Sequence, residues 1–226
     1  MTSRVVLLAF LACVLAQLGA RPAAAETEGR APIHYLGRAD ARLCPSPMCG
    51  GLWLKPLNGV KPACAEPVGG KCYVTGLSFK NPAPSPDETT QERLNDLVAR
   101  GGGLVLGHMT LSDVEGYPDL RALNVVRIWQ PVSSRKPRGL LWVLQDNGLR
   151  CVTHPCSSTR AAAVDTNRFA DVSDVDLSST GAGPGELRFA RTRIATRHQL
   201  ATGFVRRRGA EKVFVASQLY FAARTG

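Results

Sequence analysis

The chain has 226 residues, 44% hydrophobic and 20% charged, with 28 Lys and Arg against 18 Asp and Glu and a formal net charge of +10. That length suits one large domain or two small ones. Aromatics make up only 6% and are not spaced along a basic strand, which argues against nucleic acid as a partner.

Residues 1–25 read as a signal peptide. Arg4 supplies the positive start, "VVLLAFLACVLAQLG" the short apolar run, and Ala23-x-Ala25 the cleavage site, with processing after Ala25. No later segment reaches the roughly 18 to 20 apolar residues that span a bilayer. The expected product is secreted or periplasmic. A lipoprotein anchored through Cys13 is disfavoured, because "FLA" is a poor lipobox and the apolar run continues past the cysteine. The basic excess lies mainly after residue 120, in "RKPR", "RFARTRIATRH" and "FVRRRGAEK". It can attract an anionic envelope component or a protein, or it can simply be a solvated arginine-rich surface.

From residue 26 onward the periods are those of a β-rich chain, all-β or α+β. "YLGRAD", "LWLKPL", "YVTGLSF", "LVLGHMTL" and "LNVVRIWQPV" alternate or are β-branched, with turn residues between them. One helix stands out. Ser85 and Glu88 form a capping box, Pro86 takes the first helical position, and "ERLNDLVAR" stops at Gly101 with Leu94, Leu97 and Val98 facing the sheet. "DNG" at 146–148 is a tight-turn signal. The first part therefore reads β-β-β-α-β-β, an order shared with small OB-like barrels.

Beyond Cys13 there are six cysteines: Cys44, Cys49, Cys64, Cys72, Cys151 and Cys156. An even number in an exported chain points to disulfides. "CPSPMC" has four residues between its cysteines, two of them prolines. A thioredoxin-type site wants two intervening residues on a helix start, and a zinc site wants paired knuckles. Six cysteines allow fifteen pairings, and an apparent internal repeat narrows them.

"CVTHPC" at 151–156 repeats the spacing of "CPSPMC" at 44–49, and the flanks match in order. Tyr35 aligns with Trp142, Asn58 with Asn167, Val74 and Leu77 with Val172 and Val175, Gly107 with Gly203, and "NVVRIW" with "VASQLY". The organisation expected is a first β-rich unit over 26–133, a linker at 134–138 and a second unit over 139–226. The simplest pairing is then Cys44–Cys49, Cys64–Cys72 and Cys151–Cys156, with a cross-unit bridge as the alternative.

The segments R-x-D-x-R-x-C-P-S-P-M-C-G-G-L-W-L-K-P-L-N, C-Y-V-T-G-L and G-L-R-C-V-T-H-P-C resemble a family of exported bacterial proteins carrying a domain of unknown function, familiar from myxobacteria and related lineages. The most specific part is the C-x-x-P-x-C-G-G signature. The second unit departs from it, with Ser157-Ser158 where the first has Gly50-Gly51. The resemblance implies secretion and a cysteine-stabilised fold and supplies no catalytic residue.

Hydrolase, zinc-protease and phosphate-loop motifs are absent. "GGGLVLG" at 101–107 follows a helix and begins a strand, the reverse of a phosphate cradle, and reads as a helix stop. His34, His108, His154 and His198 show no carboxylate at a telling spacing. Asp174 and Asp176 in "DVSDVDL" form the best acidic pair, sharing a strand face with Val172, but lack the partners of a calcium loop. No catalytic, cofactor-binding or metal-binding residue is assigned. The functional expectation is a non-enzymatic, disulfide-stabilised binding or structural module of the cell envelope or extracellular space. Two alternatives stand beside it: a secreted hydrolase with an inter-unit site using His108, His198 and the Asp174/Asp176 pair, and a protease inhibitor presenting the 44–51 loop.

Overall fold

The alternating stretches become strands of one sheet. A computed structural model describes residues 31–224 apart from 63, 65–66 and 81–84; the expected leader and Cys13 lie outside the described residues. The first part runs β1 (Ile33–Ala39), β2 (Leu52–Pro56), β3 (Cys72–Val74), β4 (Leu77–Ser78), α1 (Glu88–Ala99), β5 (Leu104–Leu111) and β6 (Arg121–Pro131). The second runs β7 (Leu140–Asp146), β8 (Thr159–Ala163), β9 (Phe169–Val172), β10 (Asp174–Asp176), a 3-10 turn at Ser178–Thr180, α2 (Pro184–Thr196), β11 (Gln199–Arg208) and β12 (Glu211–Ala222).

Strand order across the sheet is β3-β2-β1-β5-β6-β12-β11-β7-β8-β9. Neighbours on this path are antiparallel, while β4 and β10 lie parallel to β6 and β12. The pairing scheme of the first half recurs in the second. β1 pairs with β2 and β5 as β7 pairs with β8 and β11. The halves meet where β6 and β12 pair, with Gln130 opposite Phe221. The chain is thus β-rich, with β3 and β9 at the ends of the antiparallel path; β4, close behind β3, and β10, close behind β9, return to β6 and β12, the last strand of each half, in the β-β-β-α-β-β order expected.

Alternation sorts side chains into three cores. On β1, Tyr35 packs in the cluster under α1 with Leu94 and Val98, while Leu36 turns to a central cluster. On β7, Trp142 and Leu144 pack under α2 with Ala190 and Ile194, while Leu141 and Val143 face the centre. Leu104, Trp129, Leu200 and Tyr220 complete that central core. Each fully buried Leu or Phe stabilises the fold by about 1.5–3 kcal/mol.

Two glycines are forced. The registers of β5 on β6 and of β11 on β12 shift at Leu106/Gly107 and at Thr202/Gly203. A side chain at Gly107 would collide with Asn124 O, and one at Gly203 with Val215 O. These bulges bend both halves alike.

Helix α1 starts later than the capping-box reading has it. Ser85 Oγ donates to Phe79 O (2.7 Å) and is not free to cap; Asp87 takes the role, accepting from Thr90 N–H (2.7 Å). The helix stops as expected, with Gly101 left-handed at φ 74°. Helix α2 was not anticipated. Pro184 opens it and Glu186 accepts from Gly183 N–H (2.7 Å). Only Ala190 and Ile194 are buried along it, and the intervening arginines hide that sparse period.

The two halves also grip one another. Asn58 follows β2 and Asp165 follows β8, both left-handed, at φ 54° and 56°. Asn58 Nδ2 donates to Leu141 O (2.8 Å) and Val164 O (2.9 Å), and its Oδ1 accepts from Leu141 N–H (2.8 Å). Reciprocally, Asp165 accepts from His34 N–H (2.7 Å) and from His34 Nδ1 (2.9 Å). The counterpart of Asn58 is therefore Asp165, not Asn167, which is exposed. We expect Asn58→Gly, which preserves the backbone conformation, to cost about 1–3 kcal/mol in urea unfolding through the unsatisfied groups at Leu141. Asn167→Gly shares any unfolded-state effect of glycine, so an equal loss in both variants would show that the grip contributes nothing.

Candidate functional site

The most constructed surface feature is the loop between β1 and β2. Asp40 N–H donates to Gly51 O (2.9 Å) at its base. Inside, the Asp40 carboxylate is wholly covered and accepts from Arg42 N–H (3.1 Å), Nε (2.9 Å) and Nη2 (2.8 Å) and from Trp53 Nε1 (3.1 Å). Arg42 Nη2 also donates to Met48 O (2.9 Å). The guanidinium lies 4.9 Å from the Trp53 ring and 5.0 Å from that of Tyr73, neighbours across β2 and β3. Tyr73 OH donates to Pro47 O (2.8 Å). A charge-assisted fork, with two adjoining aromatic rings against its guanidinium, thus holds the loop from beneath.

Covalent bonds complete the frame. Cys44 is bonded to Cys49 and Cys151 to Cys156, each pair with Cα atoms 5.6 Å apart, and Cys64 is bonded to Cys72 at the start of β3. Gly51 packs so close to Val74 O that no side chain fits. The tip is bare: Leu43 is fully exposed and Met48 is 50% exposed.

Arg42 hydrogen bonding, opposed by burial, brings the Asp40 carboxyl down to about 2. Burial pushes the Tyr73 hydroxyl up.

The second loop has the same closure and different chemistry. Asn147 N–H donates to Ser158 O (2.9 Å), as Asp40 does to Gly51. Asn147 thus stands for Asp40 and Leu149 for Arg42. The pair across β8 and β9 is Arg160 with Asp171 (3.0 Å), in place of Trp53 and Tyr73. Asn147 Nδ2 donates to Asp171 Oδ1 (3.1 Å) and Ser157 O (2.8 Å). Asp146 accepts from Gly148 N–H (2.6 Å) in the expected tight turn. Arg160, then Asn147, holds the Asp171 carboxyl below its ordinary value. Leu149 and Val152 are exposed at the tip.

The residues considered for a hydrolase are not brought together. Asp174 lies opposite Val213 on β12, whereas Leu200, two residues beyond His198, lies opposite Tyr220. Seven residues of strand separate those positions, roughly 24 Å. His108 lies opposite Asn124 on β6, in the other half. Asp176 accepts from Ser178 N–H (3.0 Å) and Oγ (2.6 Å). Val172 is buried and does not share the exposed face of Asp174, because Ser173 leaves the strand to donate to Lys212 O (2.8 Å).

Asp174 instead borders a groove of about 260 Å³ with Asp146, Ser158 and Arg191. His34 is held by Asp165 and lies 5.5 Å from the Trp129 ring. His154 sits within the second clip, beside Pro155. Among the described residues no cluster of three or more His, Cys, Asp or Glu is arranged to hold a metal.

The feature sequence reasoning missed is the Asp40–Arg42 fork. Its signal was present, since D-x-R immediately precedes the clip, but its aromatic partners come from two later strands.

The family model described as "Domain of unknown function (DUF6748)" matches residues 34–225, and the chain belongs to that family. No curated protein and no solved structure matches the chain.

Two outcomes follow from this geometry. Non-reduced peptide mapping of the protein should recover Cys44–Cys49, Cys64–Cys72 and Cys151–Cys156, with intact mass rising by six hydrogens on reduction; a scrambled map would remove the basis for the clip. Because Asp40 is lowered from 3.8 to about 2, its contribution to stability is complete above about pH 3.8 and is lost as pH falls toward 2. The urea midpoint should therefore drop more steeply over that window in the wild type than in Asp40→Asn. Parallel curves would mean that the carboxylate does not anchor the loop.

Proposed function

We propose that this member of the DUF6748 family is an exported, non-enzymatic binding module, and that the 40–51 loop is its contact surface for a protein partner. The observation that carries this reading is the contrast between the base and tip of the loop. The base is held by the Asp40–Arg42 fork and a disulfide, while the tip exposes Leu43 and Met48. A loop already fixed in shape loses little conformational entropy on docking. Large apolar side chains presented this way serve as interface anchors.

Three disulfides fit an oxidising, extracellular or periplasmic compartment, and a leader at 1–25 would deliver the chain there. The recurrent pairing scheme supports descent by duplication of units 26–133 and 139–226 joined at 134–138. Docking as a protease inhibitor fits less well. Met48 N–H donates to Pro45 O (3.1 Å) and Met48 O accepts from Arg42, so neither is left to pair with a protease cleft.

A photo-crosslinking residue placed at position 43 in the native host should give one discrete protein adduct, weakened by Met48→Asp. The same probe at exposed Glu92 on α1 should give none. Identical adducts at both positions, or none at 43, would remove the loop as the contact surface.

A further inference from the structure

Arg127, Arg193, Arg197 and His198 gather near the seam between the halves, and no ion pair among the described residues includes any of them. Arg193 and Arg197 stand one turn apart at the end of α2. Arg197 N–H donates to Arg193 O (2.8 Å), and Arg193 Nε donates to His198 O (3.1 Å). Arg127 comes from the other half. On β6 it shares a face with Trp129, as His198, one residue before β11, shares one with Leu200. Trp129 and Leu200 both belong to the central core, so Arg127 and His198 extend its rim on one face. Only β12 lies between their strands, a separation of roughly 10 Å that long arginine side chains can bridge.

The four groups feel one another. Burial, then Arg193, Arg127 and Arg197, pushes the His198 imidazole down; burial, then Arg197 and Arg127, lowers Arg193. Cations at a helix C-terminus offset the partial negative charge there, which accounts for Arg193 and Arg197. It does not account for Arg127, a strand residue of the opposite half whose charge adds repulsion. Arg127 and Arg197 are exposed, whereas Arg193 is half-buried, with its guanidinium 5.8 Å from the Phe189 ring. Two open forks therefore stand beside a third that is fixed in place.

We infer that this cluster binds an oxyanion of the phosphate class, either inorganic phosphate or the phosphate of a lipid headgroup. Arginine forks match tetrahedral oxyanions through paired, charge-assisted N–H donors. The bound charge offsets the mutual repulsion of the guanidinium groups, and the His198 imidazole supplies one further N–H. The site is separate from the 40–51 loop and stands whether or not that loop binds a partner.

The test follows the His198 imidazole resonance of the full chain during titration at fixed ionic strength. One arm uses inorganic phosphate; the other uses phosphatidylcholine vesicles with and without phosphatidic acid, read by co-sedimentation. The expected result is saturable binding in at least one arm, with the His198 pKa moving up in the phosphate arm if that arm binds. The double variant Arg127→Gln/Arg197→Gln should weaken binding at least tenfold. Arg206→Gln/Arg207→Gln, which removes the same net charge at the far end of β11, should leave it unchanged. Binding to phosphate alone identifies a soluble anion as the ligand, and binding to phosphatidic acid vesicles alone identifies a headgroup. Equal weakening by both double variants, or no saturable binding in either arm, overturns the assignment.

Discussion

Asn58 and Asp165 each hold the first strand of the opposite half, and the remaining architecture depends on that exchange. In sheet order β1 and β7 are separated by four strands, yet the loop after β2 reaches Leu141 and the loop after β8 reaches His34. The sheet must curl for this to happen, and the Gly107 and Gly203 bulges permit the bend. The curl turns Leu104, Trp129, Leu141, Leu200 and Tyr220 toward one another. Faces that would otherwise meet water become a third core, closed by polar side chains bonded to backbone N–H and C=O groups.

The clips play a smaller part in stability. Cys44–Cys49 and Cys151–Cys156 each close a separation of five residues. Constraint of so short a loop in the unfolded chain contributes about 2 kcal/mol in the entropy model. A single buried leucine contributes about as much, and the three cores hold many. What the clips fix is shape, as the fork under the first loop does by another route. Asp40 would be costly under the loop without Arg42, since a covered carboxylate without a charged partner is strongly destabilising.

Much of the frame was legible in the sequence. Alternation marked the strands that carry the cores, and Leu94 and Val98 marked the buried stripe of α1. Gly107 and Gly203 aligned because a bulge with a backbone atom at contact distance admits no other residue. The seam was less legible for a chemical reason. Its loop positions need a left-handed backbone and a side-chain oxygen, and both Asn and Asp satisfy that, so matching letters paired Asn58 with Asn167. Helix α2 escaped because two buried residues among many arginines leave almost no apolar period. The Asp40 fork escaped because the aromatics packed on Arg42 come from β2 and β3, whose approach is a matter of register.

Comparing the two halves through their matching strand pairings separates the positions they share from those at which they differ. Buried Leu94 and Val98 of α1 match buried Ala190 and Ile194 of α2, so the frame holds on that face. One residue before Val98 stands Leu97, where α2 has Arg193 before Ile194; three and four residues after stand Gly101 and Gly102, where α2 leads into Arg197 and His198. At the loops the contrast reverses: the first half has Asp40, Arg42, Trp53 and Tyr73, and the second Asn147, Leu149, Arg160 and Asp171. The core positions agree in burial and the rim positions disagree in charge. The central core draws on both halves, while each half carries its own surface chemistry at a rim the other half does not share.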